Sequence, residues 1–183
     1  MKKLRSAVVA LVILVATWAC LNHRVRIGAW LWHLEHGTAL PFGDYVVPVP
    51  AGWYVDGVGA GAYVLMRLDT NDHTPKRKLK RYASIGLLPE NPMKDEDLSH
   101  LLAFHATVLK KEGVDPLLQR TFSEGSETIY CIGGDRPGPA GVYDAEPVSW
   151  RCKSAGGLDI VIGATEPDMK QVWEIISGIH KKS

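Results

Sequence analysis

The chain has 183 residues, with 21 Lys and Arg against 20 Asp and Glu for a formal net charge of +1. That length suits one domain plus an appendage, and so even a balance gives no general pull toward nucleic acid or anionic lipid. At 46% hydrophobic and 22% charged the chain reads as globular rather than disordered, and no window repeats at a fixed period, which argues against a solenoid or propeller.

Lys2, Lys3 and Arg5 precede "AVVALVILVATWACL", Ala7 to Leu21, fifteen residues without a charge. This is the basic and then apolar order of an export signal. A full bilayer span takes about 20 apolar residues, so the run is short for a membrane helix. Thr17-Trp18-Ala19 is the nearest cleavage pattern, and "TWAC" around Cys20 lacks the Leu and small residue that precede a lipidated cysteine. In "RVRIGAWLWHLEHG", Ile27, Trp30, Leu31 and Leu34 share one helical face, with Arg26, His33 and His36 opposite. Trp30 and Trp32 suit the membrane–water boundary, and Arg24 and Arg26 can snorkel to lengthen the effective span. His33, Glu35 and His36 lack a third ligand at metalloprotease spacing and read as interface residues.

The expectation is a signal anchor and juxtamembrane helix over 1–36, single-pass in a bacterial inner membrane, with 37–183 exported to the periplasm. The alternative is secretion after cleavage near Ala19.

Within 37–183, Gly37 to Pro41 turns the chain. "DYVVPVP" leads through Ala51-Gly52 into "WYVDG", and "GAYVLMRLD" follows a glycine-rich turn. Pro48 and Pro50 each remove a ladder donor, which suits an edge or an opening strand, and Trp53 is available as a core anchor. "PKRKLKR" then carries Lys76, Arg77, Lys78, Lys80 and Arg81. Behind an export segment it reads as a solvated connection, with anionic lipid or an acidic partner as the functional alternative. "YASIGLLPE" is the next strand.

"DEDLSHLLAFHATVLKKEG" is a helix. Leu98, Leu101, Leu102, Val108 and Leu109 make its stripe, with acids at the start, Lys110 and Lys111 at the end and Gly113 as the stop. "PLLQRTFSEG", "SETIYCIGG", "PVSWRCKS" and "GLDIVIGAT" read as successive strands. "EPDMKQVWEIISGIHK" closes as a helix capped by Thr165, with Pro167 in its first turn. The order is α+β: a mainly antiparallel sheet with two packing helices, preceded by the N-terminal helix.

Cys131 and Cys152 fall on consecutive strands, and such strands usually neighbour each other. The expectation is a disulfide, which needs an oxidising compartment and closes a loop of about 22 residues for roughly 3 kcal/mol. Two cysteines without a C-x-x-C spacing do not make a zinc site.

The opening "VPVPAGWYV" with "PAGW" at Pro50 to Trp53, a strand pair, a middle helix and a meander closing on a helix with an inward Trp resemble the PsbP-type α/β sandwich over about residues 43–180. That resemblance implies a fold and carries no catalytic motif, so no functional residue is transferred.

No nucleophile elbow surrounds Ser84, Ser123, Ser126 or Ser149. The glycines of "GVGAGAYV" precede a strand rather than the helix a dinucleotide site needs. No cofactor and no nucleic acid is expected. The functional expectation is a non-enzymatic binding or scaffolding domain held at the membrane beside an envelope protein partner. The competing expectation is a small-molecule or hydrolytic cleft near His105, Asp135 and Tyr143.

Overall fold

The computed structural model describes residues 2–68, 82–124, 127–135, 147–165 and 168–182. The chain opens with one unbroken helix, α1 (Lys2–His36). Residues 2–36 are therefore one continuous helix, as expected of a stretch with no proline and a lone glycine at Gly28. Among the described residues, no helix is long and apolar enough to cross a membrane. The fifteen uncharged residues rise only about 22 Å as a helix, against a hydrocarbon core of about 30 Å.

The far end of α1 packs on the domain. Ala29 is buried, Trp32 packs against the core, and the helix touches the first strand of the main sheet. His33 ties the junction: Nδ1 lies 2.6 Å from the Gly37 carbonyl oxygen and Nε2 3.1 Å from that of Trp53. His36 stacks on Trp32. These contacts give the histidines of "WHLEH" a structural role, and no group of metal-holding side chains occurs among the described residues.

Two strands follow, β1 (Ala39–Phe42) and β2 (Tyr45–Pro48), paired antiparallel, and the C-terminal β10 (His180–Lys181) adds to the other side of β2. This corrects two expectations. The chain does not simply turn over Gly37 to Pro41, because "ALPF" finds a partner in β2. Nor is β2 an edge: it is the middle strand. Its proline is tolerated because β10 pairs only with Val46 and Tyr45 and stops short of Pro48. Gly52 (φ 87°) then turns the chain, with the Trp53 N–H donating to the Pro50 carbonyl at 3.1 Å.

The main sheet has seven strands: β3 (Tyr54–Gly59), β4 (Ala62–Leu68), β5 (Tyr82–Pro89), β6 (Leu118–Glu124), β7 (Glu127–Asp135), β8 (Pro147–Ser154) and β9 (Leu158–Thr165). Their order is β3-β4-β5-β9-β8-β7-β6, with every neighbouring pair antiparallel. Helix α2 (Asp95–Lys111) carries the chain from β5 to the far edge, and the meander returns to close on β5. The last helix, α3 (Met169–Ser177), precedes β10. The α+β class with an antiparallel sheet and two packing helices is what the element order predicts.

The two helices cover opposite faces. Side chains alternate along a strand, so Ile129, Cys131, Trp150, Cys152, Ile160, Ile162, Ile85, Leu87 and Leu65 share one face. That face packs against Val172, Ile175 and Ile176 of α3 and Val47, Val49 and Trp53. Ile132 looks the other way, onto Leu109, Leu102 and Val114 at the end of α2. Gly113 (φ 91°) closes α2: its N–H bonds Lys110 O while the Val114 N–H bonds Leu109 O, and Val114 and Leu109 are buried together.

The last helix departs from expectation at both ends. Its N-cap is Asp168 rather than Thr165, and it ends at Gly178, so His180 and Lys181 are extended. Buried Asp168 lies 3.7 Å from Arg67 on β4, and the Gln171 side-chain oxygen accepts from Arg67 and from Trp53 Nε1. Trp53, at 0% exposure, is a core anchor.

Candidate functional site

The tip of the β8–β9 hairpin gathers the polar chemistry of the domain. Ala155, Gly156 and Gly157 turn there beside the β1–β2 turn and the end of β5. A cleft of about 390 Å³ opens between them. Phe42, Tyr45 and Tyr63 supply its rings, Pro41, Pro89 and Pro92 its rigid apolar surface, and Asp44 and Glu90 its charge. Glycines complete the lining, so part of the wall is bare backbone.

One side of this cleft is braced by a polar knot. The buried Tyr45 hydroxyl donates to Glu127 Oε1 at 3.1 Å and shares a hydrogen bond with the Ser154 hydroxyl at 3.1 Å. Lys181 Nζ reaches Glu127 Oε2 at 2.7 Å, and the Gly156 N–H donates to Oε1. A Cβ on Gly156 would stand 2.1 Å from the Tyr45 hydroxyl oxygen, so this approach requires glycine. Burial pushes the Glu127 carboxyl upward, but the hydrogen bonds from Lys181, Ser154, Gly156 and Tyr45 outweigh it and hold the group below its usual range. Burial raises the Tyr45 hydroxyl, with the Glu127 charge adding to it.

A second cluster lies under α2. Lys153, only 2% exposed, bonds Glu90 Oε2 at 2.7 Å and Asp159 Oδ2 at 3.0 Å. An ammonium in such a place needs both carboxylates, because desolvating an uncompensated charge is costly. Glu90 thus belongs to both clusters: it lines the cleft and neutralises the buried lysine. His105 sits on α2 near the same charges. Burial, and then the Lys153 cation, lower its pKa below the usual histidine value. Its Nε2 is buried without a hydrogen-bond partner among the described residues.

The residues singled out in the sequence separate on the fold. His105 faces the ionic cluster and does not line the cleft. Asp135 is exposed at the end of β7, five residues along the strand from Tyr130, the partner of Lys153. That separation is about 17 Å at strand rise, so Asp135 is not brought to the ionic cluster. Tyr143 and the basic run Lys76, Arg77, Lys78, Lys80 and Arg81 lie outside the described residues. Cys131 and Cys152 are directly opposed partners on β7 and β8, with sulfurs 2.08 Å apart, both buried in the α3-facing core.

Sequence reasoning missed Tyr45, Glu90, Glu127, Ser154 and Lys153. Arg151 and Lys153 alternate along "SWRCKS" on one polar face of β8, and α2 packs over that strand. No family model matches the chain, and no curated protein matches it.

Proposed function

We propose that this chain is a membrane-tethered binding domain of the bacterial envelope. On this reading α1 enters the inner membrane with its N-terminus inside, and the α+β domain faces the periplasm and presents the cleft to a ligand or an envelope partner. One observation carries the tether. Leu11, Val12, Ile13, Leu14 and Val15 are consecutive, and each is 56–67% exposed, so the helix is apolar all the way round rather than along one stripe. A helix hydrophobic on every side has no favourable place in water and suits a lipid surround. Lys2, Lys3 and Arg5 before the apolar run outnumber Arg24 and Arg26 after it, which orients the N-terminus inward. The shortfall of about 8 Å against a standard bilayer is within what local thinning and snorkelling accommodate. The paired cysteines support an oxidising compartment.

The same reading keeps the PsbP-type sandwich as the proposed fold relationship, supported by an antiparallel sheet between two helices and by Trp53 in the core. The binding role is supported by the cleft itself, a concave, mostly apolar site with a few polar groups. A hydrolytic role draws less from the same region, since the Ser154 hydroxyl beside Glu127 is fully buried.

Partition tests the tether. The full chain is expected in the membrane pellet after an alkaline wash, and Leu14→Lys, which adds about 3 kcal/mol to insertion at a helix centre, shifts it to the supernatant. Release of the unmodified chain by the wash overturns the reading.

A further inference from the structure

We propose that the cleft binds a small organic cation: an ammonium group carried on a compact apolar body. This deepens the binding-domain reading above and rests on it. The charge carries the argument first. Asp44 and Glu90 line the cleft, and no Lys, Arg or His side chain does among the described residues. Lys153 compensates Glu90 from beneath, but it is shared with Asp159, so one cation answers two carboxylates and the cluster retains negative charge. Two further cations stand at the rim: Lys182 donates to the Gly43 carbonyl at 2.6 Å, and Lys181 bonds Glu127 and feels Asp44. Against Asp44, Glu90, Glu127 and Asp159, the lysines at 153, 181 and 182 leave one negative charge in excess, so the cleft favours a cation over an anion.

The shape of the ligand follows from the rest of the lining. Phe42 and Tyr63 meet edge to face, centroids 6.1 Å apart, forming an aromatic corner. Ring faces attract ammonium groups and also take up apolar carbon. The fold already uses this chemistry next door, where Lys181 Nζ bonds Glu127 and lies 5.8 Å from the Tyr45 ring centroid. With Tyr45 engaged in that way and Phe42 buried, the half-buried Tyr63 is the ring a ligand would use. The volume of about 390 Å³ sits at the small end of ligand pockets, which run to about 1,000 Å³. That suits an amine of metabolite size rather than a protein side or a fatty chain. The absence of a metal-holding group among the described residues leaves organic cations as the class to test first.

The test is an amide NMR titration of the full chain in maltoside micelles, a detergent without an ammonium head. Three matched probes are used: protonated 2-phenylethylamine, neutral 2-phenylethanol and 3-phenylpropionate. The amine is expected to shift the amides of Asp44, Gly61 and Gly156 saturably, with the carboxylate leaving them in place. Asp44→Asn is expected to weaken the amine about tenfold, the worth of one charge-assisted contact. Equal shifts from amine and carboxylate overturn the proposal, as does an amine titration that Asp44→Asn leaves unchanged. If the alcohol shifts these amides and the amine does not, the cleft is a ligand site and the cationic assignment alone fails. Should Asp44→Asn not fold, the three probes on the unmodified chain still decide.

Discussion

Glu127 joins three parts of the chain that are distant in sequence: Tyr45 on β2, Gly156 in the β8–β9 turn and Lys181 on β10. Its folded-state pKa lies below the ordinary 4.5, because the hydrogen bonds it accepts outweigh its burial. The unfolded state therefore takes up a proton first as pH falls, so this contribution is present above about 4.5 and is lost as pH drops through the folded value. Glu127→Gln keeps the shape and removes the charge. It is expected to cost about 2 kcal/mol at pH 7, the scale of a hydrogen bond to a charged group. The cost shrinks toward zero at the acid end, where the native carboxyl protonates. Urea unfolding of both proteins across pH checks this, and a pH-independent difference would show that packing rather than charge is what Glu127 supplies. His105 has the same direction of dependence for another reason: burial first, and then Lys153, disfavour its charged form.

Among the elements, the disulfide between β7 and β8 has the clearest energetic consequence. Cys131 and Cys152 are 21 residues apart, and the bond restricts the unfolded chain over that loop. Cys131→Ala with Cys152→Ala is expected to lower stability by about 3 kcal/mol, read as a lower urea midpoint that reductant then no longer moves. A midpoint unchanged by both substitutions would mean that the thiols merely pack. This pair was legible in the sequence because consecutive strands tend to be neighbours. Helix α2 was legible too: the stripe of Leu98, Leu102 and Leu109, the acidic first turn and Gly113 all point one way. What stayed hidden depended on partners remote in the chain. β1 is four residues with a proline, and β10 is two residues; each exists because β2 offers it a ladder. The cleft was hidden for the same reason. Its lining comes from four separate turns and strand ends, and neither Glu90 nor Tyr45 stands in a local pattern that marks it.

At the scale of the molecule, the two ends of α1 sit in different worlds. Leu11 to Val15 are exposed and apolar on every side; the far end is locked to β3 and to the carbonyls of Pro50 and Trp53. On the proposed reading such a helix holds the domain close to a membrane surface, and restriction to that surface would raise the effective concentration of a weak binder there. Topology is the part of this account most directly open to measurement. With an epitope appended after Ser183, the full chain can be expressed in a Gram-negative cell and the spheroplasts treated with an externally added protease. The account predicts that the epitope is lost from intact spheroplasts while a cytoplasmic marker survives. An epitope that persists until the membrane is lysed would place the domain inside the cell and contradict the account.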